Sequence, residues 1–164
     1  MNWLHDFQFG PMARVVFGAG RAREAGKIAC ELRGTAALVM TDSVLHRLGL
    51  TETIETSLKA AGVRGEVFNG VATEPTLASV EAAVEMFRER SCDLIIGLGG
   101  GSSMDSAKAV SLLIGNGGKF GDYTEHRVGT EWKRGRPIEK KGPHVITVPT
   151  TAGRSAVWTR CCPF

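Results

Sequence analysis

The residues that say most about chemistry run Asp93-Leu94-Ile95-Ile96-Gly97-Leu98-Gly99-Gly100-Gly101-Ser102-Ser103-Met104-Asp105-Ser106-Ala107-Lys108. An apolar strand leads into three consecutive glycines and then into a helix. Glycines let backbone N–H groups approach an anion without a Cβ in the way. A helix N-terminus adds N–H donors and partial positive charge. Together these features make a pyrophosphate cradle. A tight strand-to-helix turn with no ligand is the alternative, but three glycines in a row exceed what a turn needs. Ser102 is expected to cap the helix, with Asp105 three residues on completing a capping box. Lys108 is expected to pair with Asp105 at i, i+3. Capping is the better role for Asp105 by chemistry alone, since a carboxylate beside a pyrophosphate is repelled.

A second glycine loop, Gly18-Ala19-Gly20-Arg21-Ala22-Arg23, also follows a strand candidate and opens a helix. It lacks the third glycine of a dinucleotide fingerprint, Arg23 standing in its place, so a plain turn is the better reading. Asp42 ends another strand at roughly the ribose-binding spacing. Its carboxylate can accept both hydroxyls of an adenosine ribose and would repel a 2′-phosphate, which favours NAD over NADP. A helix N-cap or turn role is the alternative. Thr150 and Thr151 form a hydroxyl pair after the last strand, suited to phosphate or ribose oxygens or to strand-end turn chemistry.

Other reactive side chains suggest no site. His5, His46, His126 and His144 are scattered, and no pair has helical metal-ligand spacing. Cys30, Cys92, Cys161 and Cys162 form no CxxC pair, which fits reduced thiols in a cytoplasm. Cys30 and Cys92 lie in apolar stretches and are expected to be small core residues rather than nucleophiles.

The elements that must position these residues follow from hydrophobic period and punctuation. Strands are expected at Arg14–Phe17, Ala36–Met40, Gly65–Phe68, Asp93–Ile96 and His144–Val148. Helices are expected at Arg21–Leu32 with a stop at Gly34, at Thr51–Ala61 with a stop at Gly62, from Pro75 to about Arg90, and at Ser103–Ile114. Asn116–Gly142 is polar and Gly-rich, with room for a hairpin. Short strands alternating with helices predict an α/β fold: a doubly wound, mostly parallel sheet. Ligands of such sheets sit beyond the carboxyl ends of the strands, where Asp42, the glycines at 97–101 and Thr150-Thr151 all fall.

Composition sets bounds. The 164 residues suit one domain, and 43% hydrophobic with 23% charged is an ordinary globular balance. A net charge of +3 is too mild to argue for nucleic acid or a membrane surface. The basic stretch Lys133–Lys141 reads as a solvated loop. No signal-like h-region or membrane-length apolar run is present.

At this point a family becomes recognisable. Gly99 to Lys108 fit G-G-G-S-x-x-D-x-A-K, the signature loop of the iron-containing alcohol dehydrogenases. Phe9, Pro11 and Phe17-Gly18-Ala19-Gly20 resemble that family's opening strand, Thr41-Asp42 its adenosine-ribose site, Pro75-Thr76 the start of its third helix, and Val148-Pro149-Thr150-Thr151-Ala152-Gly153 its V-P-T-T-A-G segment. The resemblance covers about residues 7–153 and implies a Rossmann-like domain. It implies that Gly99, Gly100, Gly101 and Ser102 hold the pyrophosphate, that Asp105 belongs to the same loop, and that Thr150 and Thr151 line the cofactor near its nicotinamide. It also implies hydride transfer between a small alcohol or aldehyde and NAD(P), assisted by a metal acting as Lewis acid.

After Gly153 the family continues Thr-Gly-Ser-Glu, whereas this chain reads Arg154-Ser155-Ala156-Val157 and onward to Phe164. The family's metal ligands, one Asp and three His of a helical C-terminal domain, match no positions here, so Fe²⁺ or Zn²⁺ is not expected to bind. The expectation is a dinucleotide-binding domain over 1–153 with an aberrant tail at 154–164 from a reading-frame slip, inactive alone and self-associating through exposed apolar surface. Resequencing that finds no downstream frame for the missing half would refute the slip. A nucleotide-binding module or non-functional remnant, and a metal-independent keto-acid reductase, remain open as alternatives.

Overall fold

The computed structural model describes residues 14–72, 76–124, 126–128, 131–133 and 135–151. Strands are β1 Ala36–Met40, β2 Arg64–Phe68, β3 Leu94–Gly99, β4 His126–Val128, β5 Glu131–Lys133 and β6 His144–Pro149. Helices are α1 Ala25–Glu31, α2 Ser43–Arg47, α3 Leu50–Ala60, α4 Leu77–Glu89 and α5 Gly101–Asn116. The main sheet is parallel throughout, in the order β2-β1-β3-β6. From β1 the chain moves outward to β2, then returns across β1 to lay down β3 on its other side. The order therefore reverses between β1 and β3, which is the ligand-binding switch point of a doubly wound sheet.

Both faces of the sheet are covered. Leu38, Met40 and Ile95 pack with Val80, Ala83, Val84 and Phe87 of α4 and Ala107, Val110 and Leu113 of α5. Ala37, Val39, Leu94, Ile96 and Leu98 pack on the opposite face with Ala25 and Ala29 of α1 and Ile54 and Leu58 of α3. Every residue of β1 and β3 is buried. That is why these two strands read as continuous apolar runs rather than alternating ones.

The N-terminal ends of β1 and β3 are tied together by one carboxylate. Asp93 accepts from Thr35 N at 2.9 Å, from Ala36 N at 3.0 Å and from the Thr35 hydroxyl at 2.6 Å. Burial alone would raise its pKa, but bonds from the Thr35 hydroxyl and the Ala36 and Thr35 amides outweigh it and hold the carboxyl below 3.8.

Several expected elements take a different form. Arg14–Phe17 forms no strand among the described residues. Val15 is 75% exposed and Phe17 94%, so neither apolar side chain packs on a face of the described residues. The helix expected over Arg21–Leu32 begins as a 3₁₀ turn at Arg21–Glu24 and becomes α-helical only at Ala25. Its end is not made by Gly34: Arg33 takes the left-handed conformation at φ 62, and Gly34 N donates to Ala29 O at 2.9 Å. Gly34 is needed instead for closeness, since a Cβ there would meet the Leu94 side chain at 3.2 Å. Helix α2 was not anticipated. Pro75, the expected start of α4, lies outside the described residues, and the helix is capped by Thr76, whose hydroxyl accepts from Ser79 N at 3.2 Å. The irregular stretch does contain the hairpin, β4 pairing antiparallel with β5.

Candidate nucleotide-binding site

Three chain segments leave the carboxyl end of the sheet side by side. One leaves β1 at Thr41-Asp42, one leaves β3 at Gly99-Gly100, and one leaves β6 at Thr150-Thr151. Register holds the last two level: Gly99 pairs with Pro149, and Thr150 N donates to Gly99 O at 2.9 Å.

The glycines divide their work. Gly97 lies inside β3, where a Cβ would stand 3.0 Å from Ala107 Cβ and 3.1 Å from Ser103 O, so it permits α5 to lie close against the strand. Gly99 has φ +142, a conformation only glycine adopts easily, and a Cβ there would meet the Ser103 hydroxyl at 2.6 Å. Both are explained by the protein's own packing. Gly100 is not. Its φ of −79 and ψ of −169 suit any residue, and the one atom within 4 Å of an added Cβ is Thr151 Oγ1, at 3.6 Å. Among the described residues no packing contact requires glycine at this point.

Helix α5 starts earlier than its sequence suggests. Gly100 is its N-cap and Gly101 its first residue, so Ser102 lies within the first turn and cannot cap. The Ser102–Asp105 capping box is therefore absent: a capping serine must precede the helix, and the glycines have already turned the chain into it. First-turn amides have no partner inside a helix, and here they belong to Gly101, Ser102 and Ser103. Asp105 instead pairs with Lys108, Nζ to Oδ1 at 3.5 Å, as the i, i+3 spacing anticipates.

Asp42 fills the capping role considered for it. It is the N-cap of α2, and Oδ1 accepts from Val44 N at 2.8 Å and Leu45 N at 2.9 Å. Both of these bonds fall on Oδ1. The cap fixes the carboxylate relative to the sheet. Helix α2 also reaches the glycine turn, since a Cβ at Gly99 would lie 3.1 Å from Leu45 Cδ1. Beside Asp42, Thr41 is fully buried and its hydroxyl has no hydrogen-bond partner among the described residues, as is also true of Ser106. Sequence reading gave no signal for either, because an unpaired hydroxyl depends on what packs around it.

Thr150 and Thr151 are exposed, and Thr151 stands across from Gly100. The other glycine loop is a turn: Arg21 N bonds Gly18 O at 3.4 Å and Arg23 N bonds Gly20 O at 3.1 Å. Among the described residues no three His, Cys, Asp or Glu side chains gather to form a metal site. His46 Nδ1 lies 3.2 Å from the Thr51 hydroxyl, His144 is exposed on β6, and His5 lies outside the described residues. Cys92 is buried, and burial followed by the nearby Glu66 pushes its thiol up to about 11. Cys30, expected in the core, is exposed and donates to Ala61 O at 3.3 Å, because the inward face of α1 is Ala25, Gly26 and Ala29. No helix among the described residues is long and apolar enough to cross a membrane.

The sequence pattern of iron-containing alcohol dehydrogenases matches residues 12–163. The chain is 32% identical over 151 residues to the NAD-dependent methanol dehydrogenase of Bacillus methanolicus, covering 92% of this chain and 37% of that enzyme. Among solved structures, an archaeal alcohol dehydrogenase from a Red Sea brine pool superposes with a TM-score of 0.80 at 27% identity, over 93% of this chain and 38% of that one. Sulfoacetaldehyde reductase from Bifidobacterium kashiwanohense, solved in complex with NAD+, superposes with a TM-score of 0.73 at 28% identity, over 85% of this chain and 35% of that one. The chain thus spans little more than a third of the length of the relatives it matches.

Proposed function

This chain belongs to the iron-containing alcohol dehydrogenase family, and on that premise we propose that it binds the nicotinamide dinucleotide of an alcohol dehydrogenase, NAD in preference to NADP. The observation that carries the reading is Gly100, a glycine that neither backbone conformation nor packing requires, at the mouth of an α-helix in the switch point of the sheet.

In this reading the pyrophosphate rests on Gly100, Gly101 and Ser102, with Gly99 shaping the turn beneath. N–H groups of the first turn of α5 donate to it, and the helix dipole favours its negative charge. Asp42 Oδ2 accepts from the adenosine ribose hydroxyls, while Oδ1 stays with the α2 amides. Thr150 and Thr151 wall the cofactor on its nicotinamide side. Asp105 lies one turn further along α5. The cofactor supplies hydride acceptance or donation, and the residues named here bind and orient it.

The activity proposed for the whole enzyme is hydride transfer between a small alcohol or aldehyde and the nicotinamide. The described residues gather no metal ligand set.

Titration of NADH into the chain, followed by calorimetry and by displacement with NAD, tests the reading. Saturable binding that NAD displaces is expected. No detectable binding at millimolar nucleotide would overturn it.

A further inference from the structure

Helix α5 and strand β6 run antiparallel and are joined at both ends. At one end Thr151 Oγ1 stands opposite Gly100, 3.6 Å from where a Cβ would be. At the other end, the segment that feeds β6 is tied to the last turns of α5. Asn116, the final residue of α5, uses its whole side-chain amide for this. Its Oδ1 accepts from Glu139 N at 2.9 Å and Lys140 N at 2.8 Å, and its Nδ2 donates to Lys140 O at 2.7 Å and Leu112 O at 3.2 Å. Ser111 Oγ donates to Pro143 O at 2.7 Å, one residue before β6 begins. The chains also touch closely: a Cβ on Gly115 would lie 2.8 Å from Gly142 Cα, and one on Gly142 would collide with the Ser111 carbonyl.

This second attachment has mechanical weight because β6 ends the sheet order and has one ladder partner, β3, among the described residues. No residue of β6 is buried, whereas every residue of β3 is. A half-covered edge strand belongs to the easily opened part of a structure. Helix α5 is the stiffer body, seated on β3 at Gly97. Its length of about 24 Å spans that of β6, about 20 Å. A shift where β6 begins is therefore carried to where β6 ends.

Resting on the nucleotide-binding reading above, we propose that Asn116, helped by Ser111, is a positioning residue for the dinucleotide. It fixes where β6 starts relative to α5, and so sets the gap between Gly100 and the Thr150-Thr151 hydroxyls. The nicotinamide half of the cofactor leaves the pyrophosphate through that gap. Asn116 acts from the far end of the helix and touches no ligand.

Calorimetric titration of NADH and of AMP into the 164-residue chain and its variants tests this, with thermal midpoints recorded alongside. AMP carries the adenosine and one phosphate but no nicotinamide half for the β6 side to hold. Asn116→Ala is expected to weaken NADH binding about fivefold, the equivalent of one hydrogen bond from Thr150-Thr151 to the cofactor, and to leave AMP affinity unchanged. Ser111→Ala removes a single bond and should act in the same direction by less. Thr151→Ala should weaken NADH binding in the parent and add little in the Asn116→Ala background, although separated sites are ordinarily additive.

A lowered midpoint with equal losses for NADH and AMP would mark a purely structural clamp and overturns the proposal. So do additive losses from Asn116→Ala and Thr151→Ala, or unchanged NADH affinity in a folded Ser111→Ala/Asn116→Ala chain, either of which leaves the nucleotide site itself standing. If Asn116→Ala does not fold, Ser111→Ala and its combination with Thr151→Ala decide on the same readouts. Absence of NADH binding to the parent chain overturns both readings.

Discussion

Thr150 N donates to Gly99 O at 2.9 Å, the first hydrogen bond beyond the paired ends of β3 and β6. It locks the exit of one strand to the exit of the next, so that the hydroxyl pair at 150–151 and the glycine turn at 99–101 form one wall of the switch point. The other wall is Asp42, fixed by the amides it caps. Each position depends on backbone geometry set by the strands of the sheet.

Asp42 should govern nucleotide choice. Asp42→Gly removes the carboxylate that disfavours a 2′-phosphate, while glycine at an N-cap costs only a few tenths of a kcal/mol. The NADP-to-NAD affinity ratio is expected to rise by about 1–3 kcal/mol, the scale of relieving a charge conflict. Asp42→Ser, which keeps a capping oxygen, should shift the ratio in the same direction. An unchanged ratio in both would leave Asp42 with capping alone.

Asp93 should make the domain acid-sensitive. Its folded pKa lies below the usual 3.8, so its contribution is fully present above the unfolded value and is lost as pH falls through the folded one. Asp93→Asn should therefore lower stability at pH 7 by about 1–2 kcal/mol, a figure already reduced for solvent exposure. It should also flatten the decline of stability at low pH. Urea melts at pH 7 and pH 3 measure both. A parallel decline in parent and variant would contradict the carboxylate's role.

The two described cysteines should differ in reactivity. The Cys92 thiol, pushed up to about 11, stays protonated at pH 8 and is buried, whereas Cys30 is exposed on α1. Alkylation of the native chain at pH 8, followed by peptide mapping, should modify Cys30 and spare Cys92. Equal modification of both would show that the α4–β3 junction opens readily.

The parallel sheet was legible because β1 and β3 are buried on both faces, and burial on both faces writes itself as an uninterrupted apolar run. The pairing of Lys108 with Asp105 was legible for a similar reason, being a matter of helical period. The beginning of α5 was not. Gly100 and Gly101 read as loop by composition, yet Gly100 is the N-cap of α5 and Gly101 its first residue, the close approach of helix to strand being made at Gly97 and Gly99. Helix α2 was missed because five residues carry too little periodicity. Its one signal was Asp42, whose capping role is independent of any ligand. Cys30 was misplaced because α1 turns its small residues inward, a choice made by contact with α3 at Gly26 and Ser57 rather than by hydropathy.

The central claim is that Gly100 is glycine for the sake of a bound pyrophosphate, and comparing Gly100→Val with Gly97→Ala tests it most directly. Gly100→Val places its Cβ in ordinary contact with Thr151 Oγ1 and a poorer cap at the start of α5, so it should fold with its stability lowered by no more than about 1 kcal/mol and lose NADH binding by calorimetry. Gly97→Ala drives a methyl against Ala107 and the Ser103 carbonyl and should lower the midpoint instead. A Gly100→Val chain that folds normally and binds NADH with the parent's affinity would contradict the account.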